Sequence, residues 1–548
     1  MLNLNSHSCQ RMKIPPLKTC GTGATIEHLP PELLGVIFNY VHEDVRSLTQ
    51  DFEASLVPPL PDDLATIPDF PLDSAGKRGS TNDQRQQVIN LARMPGFFPY
   101  NCARTCNTWR NVMCSHPIFW TRLVFFVDSQ PIALEDVKEY LGWSRKLPID
   151  VIITFRPELI PSSDDEQKRL IDELLAVLLS HIPRFQMLHV DAFSSTSLPS
   201  FQFNNGSRYE APLLTDLSLS CEEDRQNKVS DFTSSAPSHD DEQSFSCRSL
   251  KNVSIDGLTL RRACFSDAHW LHFQNHVEQL SITESKFLPG DDFDDRIPDP
   301  DAHQLSIFTA LDFIECLQFR LAYLKLQNVT FDVESGPRFP SYSYSLPRLH
   351  ALYLDNLPLL SIKELFRLCD FPRLAILHLS NCTELDRCIF DDMSIDVAAL
   401  FLSLISREAK VAEFLTGWYG YGLCLIKCFW SSDSLLDKLS QTLDLDEGEV
   451  APEGGKKFLC PNMSLLFLMM CPVFSVASVK EFVEARNHYV DYTDPEWKTK
   501  TTFGPAIRTL VVKNIFGMSR QSKRTKPYHL TEDDAKWFKE RLVDFTWE

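Results

Sequence analysis

The sequence predicts an α/β chain, in which an N-terminal helical module precedes a solenoid of parallel strands with outer helices or loops. Two observations support this fold class. An amphipathic helical pattern begins at Ile26, and a six-residue apolar pattern recurs nine times between residues 185 and 512. Helices and strands differ in the spacing of their apolar side chains. Because 548 residues exceed the usual length of one domain, we assign the two patterns to separate domains.

The helical pattern occupies residues 26–41, IEHLPPELLGVIFNYV. Pro30 and Pro31 suit a first helical turn, where backbone N–H groups have no partner within the helix. Glu32 adds negative charge near the positive end of the helix dipole. An i, i+4 apolar stripe then lies on one face, formed by Leu29, Leu33, Ile37 and Val41.

A second apolar cluster occupies residues 98–125, FPYNCARTCNTWRNVMCSHPIFWTRLVF. Residues 101–115 are predicted to form one helix, because apolar residues fall on a single helical face. The residues on this face are Cys102, Cys106, Trp109 and Met113. Phe119, Trp120 and the run Leu123, Val124 and Phe125 are expected to close the module. Residues 42–100 are rich in Pro, Asp and Ser near their start and are predicted to be mostly irregular, with a helix over 83–94.

These motifs resemble the F-box, a small helical module that docks onto a Skp-type adaptor of cullin–RING ubiquitin ligases. The matching residues are Leu29-Pro30-x-Glu32-Leu33-x-x-x-Ile37-Phe38, then Cys106-x-x-Trp109-Arg110, then Pro117-x-x-Trp120. The block that runs from residue 98 through YLGWSRKLPIDV is similar to F-box proteins of mushroom-forming (basidiomycete) fungi. The family's module is usually compact, whereas an insertion over residues 42–100 separates the helical pieces here.

The resemblance implies a set of adaptor-binding residues, with Trp120 in the core of the module. They are Leu29, Pro30, Leu33, Ile37, Cys106 and Trp109. An alternative interpretation is that such side chains only form the core of a small helical domain. The resemblance also implies that ubiquitin transfer takes place elsewhere in the ligase, and that this chain raises the local concentration of the substrate.

The repeated pattern is apolar-x-x-apolar-x-apolar. It follows a predicted helix over 135–145, a strand over 147–155 and a helix over 164–179. The fourth residues of the nine copies are Leu188, Leu217, Val253, Leu280, Leu324, Leu352, Leu377, Leu466 and Leu510. The short steps fit one leucine-rich repeat each, and the long step from Leu377 to Leu466 has room for two degenerate copies near residues 404–445. Cys382 and Cys471 stand at the Asn/Cys position of that repeat. The alternative is an ordinary α/β domain with apolar strands.

Stacked repeats share one core, so we expect the leucines of the pattern to be buried in sequence order. The five leucines on which we test this expectation are Leu217, Leu324, Leu352, Leu377 and Leu466. Side chains alternate along a strand, so the residue between two leucines lies on the other, concave face. The nine residues at this position are His189, Ser218, Ser254, Ser281, Lys325, Tyr353, His378, Phe467 and Val511.

Lys325, Tyr353 and His378 come from consecutive copies and are predicted to form a contiguous substrate-binding row. A cation, an amphipathic ring and a titratable ring suit an acidic or hydrogen-bonding segment. The alternative is that the three side chains are merely solvated.

These assignments divide the chain into four parts. Residues 1–25 are predicted to be disordered, and residues 26–127 form the F-box module with its insertion. Residues 128–183 form a linking region of helix and strand, and residues 184–548 form the leucine-rich-repeat-like solenoid. Thr531 and Asp534 predict the start of a helix that caps the end of this solenoid. Two acidic stretches, 222–245 and 287–301, are expected to be surface loops.

Composition restricts the possible function classes. A formal net charge of −20 argues against a nucleic-acid partner. Sixteen cysteines without a framework or signal sequence indicate reduced thiols in the cytosol or nucleus. The basic run over 520–526 fits either a nuclear import signal or a solvated loop. The sequence contains no apolar run of about 18 residues, so no membrane helix is predicted.

No catalytic residues, metal ligands or cofactor are predicted. The pairs Cys102-x₃-Cys106 and Cys424-x₃-Cys428 lack a second pair at zinc-finger spacing, and each fits one helical face equally well. We therefore expect a non-catalytic substrate receptor of a Skp–cullin–F-box ligase, with a protein substrate bound by the repeats. The alternative is an F-box-like leucine-rich-repeat scaffold that binds protein partners without a ligase.

Overall fold

A computed structural model gives the fold. It describes residues 29–56, 98–161, 163–199, 201, 209–224, 245–257, 259–260, 276–283, 286–287, 305–332, 343–382, 385, 397–405, 408–428, 433–443, 457–471, 474–488, 490, 492–494, 498, 506–513 and 530–547. The chain divides into two compact units. The helical unit comprises Met1–Trp120 and Trp143–Arg145, and the repeat unit comprises Thr121–Gly142 and Lys146–Glu548.

The helical unit begins with α1, which spans Pro31–Leu56. The N–H groups of Leu33 and Leu34 donate to the Pro30 carbonyl, at 3.0 and 3.1 Å, so the helix starts where the prolines predict it. The expectation that irregular structure begins at residue 42 is wrong, because α1 continues to Leu56. Residues 42–56 contain neither Pro nor Gly, so nothing in this segment interrupts a helix. The predicted helix over 83–94, the rest of the insertion up to residue 97 and residues 1–25 lie outside the described residues.

The single helix predicted over residues 101–115 is wrong, since two helices occur there. α2 spans Tyr100–Thr105 and α3 spans Asn107–Ser115. Between them Cys106 has an extended backbone, and its sulfur accepts a hydrogen bond from the N–H of Trp109 at 3.5 Å. A side chain that binds a backbone N–H two or three residues ahead starts a new helix. Cys102 and Cys106 therefore do not share a helical face. A 3₁₀ turn over Pro117–Trp120 follows.

In the described part of the repeat unit, fourteen strands form one continuous sheet in chain order. The strands are β1 Arg122–Phe126, β2 Ile149–Thr154, β3 Phe185–Ser194, β4 Asp216–Asp224, β5 Asn252–Asp256, β6 Gln279–Thr283, β7 Tyr323–Gln327, β8 Ala351–Asp355, β9 Ile376–Ser380, β10 Ala399–Ser403, β11 Gly422–Ile426, β12 Leu465–Met469, β13 Thr509–Lys513 and β14 Asp544–Trp547. Every neighbouring pair along this path is parallel. An extra two-residue strand, Lys286–Phe287, pairs with the end of β4.

Helices or turns connect many of the strands, as a parallel sheet requires. Among the described residues after β1, the α-helices are α4 Leu134–Trp143, α5 Asp164–Leu178, α6 Ile307–Glu315, α7 Leu359–Leu368, α8 Glu408–Phe414, α9 Asp433–Ser440, α10 Val476–Arg486 and α11 Glu532–Arg541. The 3₁₀ turns are Pro157–Leu159, Leu179–Arg184, Ser195–Ser197 and Leu415–Gly417. Short ladders outside the main sheet join Tyr209–Glu210 to Phe245–Ser246, Leu305–Ser306 to Phe331–Asp332, Tyr344–Ser345 to Cys369–Asp370, and Thr442–Leu443 to Lys457–Phe458. The helices predicted over 135–145 and 164–179 and the strand predicted over 147–155 match α4, α5 and β2.

The repeated pattern supplies the core of the sheet, as predicted. The five test leucines are all fully buried: Leu217, Leu324, Leu352, Leu377 and Leu466. Leu324, Leu352 and Leu377 pair in register across β7, β8 and β9. Two strands, β10 and β11, fill the long step between copies, which confirms the two predicted units, although β10 lies just before residues 404–445. Leu400 and Leu423 occupy the fourth position of these units and are also fully buried.

The sheet extends beyond the predicted copies at both ends. The predicted solenoid starts at residue 184, whereas the sheet already starts with β1. Leu123, Val124 and Phe125, which were expected to close the helical module, form this strand. At the other end α11 begins with the predicted capping box of Thr531 and Asp534. The prediction that this helix ends the array is wrong, because β14 follows it and pairs with β13.

The strands β7 to β12 end in the same turn. The residue after each strand has a positive φ, between 51° and 57°: Asn328, Asn356, Asn381, Leu404, Lys427 and Met470. Its N–H donates to the last carbonyl of the next strand, so the turns are joined as the strands are. Cys382, Cys428 and Cys471 follow one residue later, and their thiols donate to turn or strand carbonyls. Cys424 lies in β11 and Cys428 in the turn after it, so the helical face proposed for this pair is wrong.

Candidate functional site

Two surfaces contain the residues that the sequence indicates as functional. The first belongs to α1, which has two apolar sides. Leu34 and Phe38 are buried, at 0% and 2% exposure, whereas Leu33 and Ile37 are 51% and 40% exposed. We call the solvent side the α1 apolar face, and its exposed residues are Leu33, Val36, Ile37, Tyr40 and Val41. The stripe predicted from i, i+4 spacing is thus largely the exposed side of the helix.

Aromatic contacts on the other side of α1 hold the helix against α3 and the following turn. The rings of Phe38 and Trp109 meet edge to face, with centroids 5.0 Å apart. Gly35 lies so close to His116 that an added Cβ would stand 3.4 Å from its ring. The turn after α3 is fixed by Trp120, which is fully buried and donates from Nε1 to the Met113 carbonyl at 3.0 Å. The prediction that Trp120 belongs to the core is confirmed.

The six predicted adaptor residues fall into two groups. Leu29, half-buried, and Pro30, exposed, lie at the start of α1, and Leu33 and Ile37 belong to its apolar face. Cys106 and Trp109 are half-buried at the start of α3. Trp109 contacts α1 through Phe38, so it supports the helix from its covered side.

The α1 apolar face also includes exposed residues that were not predicted as site residues. Val36 lies directly before Ile37 and Tyr40 lies about one helical turn after it, and they are 50% and 70% exposed. The signal in the sequence was their i+3 and i+7 spacing from Leu33, which places them on the same face. Ile118, in the turn after α3, is 42% exposed as well.

The second surface is the sheet face opposite the buried leucines. Residues at the position between the two leucines pair in register from one strand to the next, and we call this set the central row. It consists of Val124, Ile152, His189, Ser218, Ser254, Ser281, Lys325, Tyr353, His378, Phe401, Cys424, Phe467, Val511 and Thr546. All nine predicted positions belong to it. Lys325, Tyr353 and His378 are consecutive members, so the predicted contiguous row is present.

The character of the central row changes along the sheet. Its members from β3 to β6 are polar, and those from β10 to β13 are apolar or a thiol. The sequence prediction missed Phe401 and Cys424, because their strands were not recognised as copies. The signal was present for β10, since Val397, Leu400 and Leu402 have the apolar-x-x-apolar-x-apolar spacing.

Rings form a continuous series where the two parts of the row meet. The centroids of Tyr353 and His378 are 4.1 Å apart, and those of His378 and Phe401 are 5.7 Å apart. Tyr323, two residues before Lys325 on β7, extends the series with a distance of 5.4 Å to Tyr353. Four neighbouring strands, β7 to β10, thus each contribute one ring to a continuous series next to Lys325.

His378 is a neutral imidazole in this setting. It is 8% exposed, and its Nε2 hydrogen-bonds with the Ser403 hydroxyl at 2.8 Å. Burial, and then the positive charge of Lys325, lowers the pKa of His378 from 6.5 to about 3. Its Nδ1 is buried and has no hydrogen-bond partner among the described residues. This nitrogen is therefore shielded from solvent and its hydrogen-bonding capacity is unsatisfied among the described residues.

Lys325 differs from the solvated lysine that the alternative interpretation expects, since it is only 7% exposed. Within the described residues it makes no ion pair and no hydrogen bond. Tyr353, between Lys325 and His378, is half-buried. The three predicted substrate residues thus form a sheltered group rather than a solvated one.

Comparisons with known proteins assign no family. No protein-family model matches the chain. No curated protein is detectably similar to it. Within the described residues, no helix is long and apolar enough to cross a membrane, and no group of His, Cys, Asp and Glu side chains is arranged to hold a metal ion.

Proposed function

We propose that this chain is the substrate-recognition subunit of a Skp–cullin–F-box E3 ubiquitin ligase in the cytosol or nucleus. In this proposal the helical unit is an F-box that docks onto a Skp-type adaptor, and the repeat unit binds a protein substrate. The observation that supports it best is the α1 apolar face. Its position coincides with the Leu-Pro-x-Glu-Leu opening that resembles the F-box, and the block from residue 98 onward is similar to F-box proteins of basidiomycete fungi.

Exposed apolar side chains on one helical face favour association. Burying apolar area gains about 25 cal/mol per Å², and the gain is available only when a partner covers the face. Anchors of protein interfaces are typically large apolar or aromatic side chains at the centre of the contact. Leu33, Ile37 and Tyr40 have this character and are 51%, 40% and 70% exposed. An interpretation in which Leu33 and Ile37 only form the core of a small domain does not account for this exposure.

The repeat unit supports the second half of the proposal. Its central row runs through fourteen strands in a single register and combines polar, aromatic and apolar side chains. Most of its members are buried, and Tyr353, Val511 and Thr546 are half-buried. A protein segment bound along this row would therefore contact it mainly through these half-buried side chains, on the extended face that stacked repeats present. A receptor of this type needs no catalytic residue, because bringing the substrate close to the ligase raises its effective concentration.

The adaptor half of the proposal is tested with the double variant Leu33→Asp and Ile37→Asp. Binding of a partner to the α1 apolar face would have to desolvate the two introduced carboxylates, which is energetically unfavourable. Co-purification of the Skp adaptor is therefore expected to be lost. The matched control is Phe319→Asp with Leu360→Asp, since these residues are 66% and 55% exposed but belong to the repeat unit. The control is expected to retain the adaptor at the wild-type yield.

Circular dichroism of both double variants establishes that they are folded. Wild-type recovery of the adaptor by the Leu33→Asp, Ile37→Asp variant contradicts the F-box assignment. Recovery of the adaptor without a cullin from native cells favours the alternative, a repeat scaffold that acts outside a ligase.

A further inference from the structure

The Lys325 ammonium has an unusual electrostatic environment. It is 7% exposed, and no carboxylate of a described residue lies within ion-pair distance of it. Removing a charge from water without a partner is costly, and proteins usually pair such a charge or expose it. Lys251 illustrates the usual arrangement, because its side chain is about half exposed and its Nζ lies 3.3 Å from Glu278. An anion supplied by a binding partner would give Lys325 the same compensation.

Neighbouring groups suit an anion at this position. Ser281 and Tyr353 flank Lys325 in register on β6 and β8. His378 has a buried Nδ1 without a partner among the described residues, and its pKa is lowered partly by the Lys325 charge. Tyr323 and Tyr353 lie next to Lys325 on β7 and β8, and the low exposure of Lys325, 7%, lowers the local dielectric and so strengthens an ionic contact. Asp355 lies on the same strand as Tyr353, two residues on, and opposes anion binding.

We propose that Lys325, together with His378, binds an anionic side chain, a carboxylate or a phosphate ester, in an acidic segment of a partner protein. This inference rests on the proposed function, because it assigns the class of substrate to the repeat unit. The chain as a whole does not attract such a segment, since its formal net charge is −20. Recognition therefore depends on local compensation at Lys325 rather than on long-range attraction.

The test uses the full-length chain and three fluorescein-labelled peptides in an anisotropy titration. The peptides are hexaglutamate, hexaglutamine and the hexaglutamine peptide with one central phosphoserine. We expect hexaglutamate or the phosphoserine peptide to bind and hexaglutamine not to bind. Because truncating one partner of a sheltered charge pair is costly, Lys325→Met is expected to weaken the anionic peptide by at least about tenfold.

Three variants make the result specific. Lys251→Met removes a lysine that is already paired, so it is expected to leave the affinity within about twofold of wild type. Asp355→Asn removes the opposing charge and is expected to strengthen hexaglutamate binding. Lys325→Arg retains the positive charge and is expected to retain more binding than Lys325→Met does. Thermal melting checks folding, and Lys325→Met is expected to melt no lower than wild type, because it replaces an uncompensated ammonium by an apolar chain of similar length.

The outcomes separate the possible ligands and the two proposals. Preference for the phosphoserine peptide over hexaglutamate assigns the site to a phosphate ester, and the reverse assigns it to a carboxylate. Equal binding of the anionic peptides by wild type and Lys325→Met, or no binding by wild type, overturns the inference. Adaptor co-purification is measured on the same preparations, so a failed anion site with a retained adaptor leaves the proposed function intact, and the opposite result leaves the site intact.

Discussion

The helical unit and the repeat unit use periodic apolar residues in opposite ways. In the repeat unit the leucines of the pattern are fully buried, because each strand is covered by its neighbours in register. In α1 the periodic stripe of Leu33 and Ile37 faces solvent, and a different pair, Leu34 and Phe38, is buried. Regular spacing of apolar residues therefore has two different structural consequences. In the sheet it builds the core, and in α1 it leaves an apolar surface that a partner can cover.

The largest expected effect separates these two meanings directly. Leu352→Ala is expected to lower the free energy of unfolding by about 2–5 kcal/mol, because Leu352 is fully buried between Leu324 and Leu377. Leu33→Ala is expected to change it by no more than about 0.5 kcal/mol, because the side chain is half exposed. Urea denaturation followed by circular dichroism measures both. A loss of stability for Leu33→Ala as large as that for Leu352→Ala would mean that the α1 apolar face is already covered within this chain.

The second prediction distinguishes a residue that supports α1 from one that faces the adaptor. Trp109 is half-buried and its ring contacts Phe38 at 5.0 Å, on the covered side of the helix. Trp109→Ala is expected to reduce stability by less than the about 3–5 kcal/mol of a fully buried aromatic, and to reduce adaptor binding together with it. Trp109→Phe preserves an edge-to-face contact with Phe38 and is expected to recover much of the stability and much of the adaptor binding. Thermal melting and co-purification are compared for the pair. Lost adaptor binding at unchanged stability would instead make Trp109 a direct contact.

The sequence predicts the sheet better than it predicts the surfaces. Nine strands follow from one pattern, because strand, core and stacking all depend on the same alternation of side chains. The missed strand β10 has the pattern in Val397, Leu400 and Leu402, and β14 has it in Leu542, Phe545 and Trp547. Both strands therefore carry the repeat pattern in the sequence. The break at Cys106 is different, because a cap formed by a sulfur atom leaves no periodic signal.

The spacing of residues in the sequence also does not predict how exposed a site residue is. Spacing places Lys325, Tyr353 and His378 in one row, and the structure has them there in register. It does not indicate that Lys325 and His378 are sheltered, since their burial depends on the neighbouring rings and strands. The same holds for α1, where spacing identifies two apolar sides but not which side is covered. Accessibility is a property of the assembled fold.

The third prediction concerns the pH dependence of the repeat unit. The pKa of His378 is about 3 in the folded chain and near 6.5 when the chain is unfolded. The unfolded state therefore binds more protons between these values, and stability is expected to decrease as the pH falls through this window. The slope from this residue is at most about 1.4 kcal/mol per pH unit. Urea denaturation at pH 7 and pH 5 measures it in wild type and His378→Gln.

Desolvation also lowers the pKa values of the half-buried His181 and His350, so wild type alone does not isolate His378. The informative quantity is the difference between wild type and His378→Gln. We expect the variant to lose less stability on acidification. Equal losses in the two proteins would mean that His378 is not sheltered when the protein is in solution.

The smallest expected effect tests the end of the repeat unit, where a helix was predicted to cap the array. Thr531 accepts a hydrogen bond from the N–H of Asp534 at 3.1 Å, and Asp534 accepts one from the N–H of Thr531 at 3.2 Å. Thr531→Ala removes the first bond, and such a change typically costs about 1 kcal/mol. Beyond α11, Phe545 of β14 stacks on Phe538 at 4.6 Å, so a frayed helix start is expected to loosen β14 as well.

Hydrogen exchange followed by mass spectrometry is expected to show faster exchange over residues 532–547 and unchanged exchange over α1. Thr531→Ser retains the hydroxyl and is the matched control, expected to exchange at the wild-type rate. Faster exchange in α11 but not in β14 would mean that the last strand is held by β13 alone, and that the helix contributes nothing to the edge of the sheet.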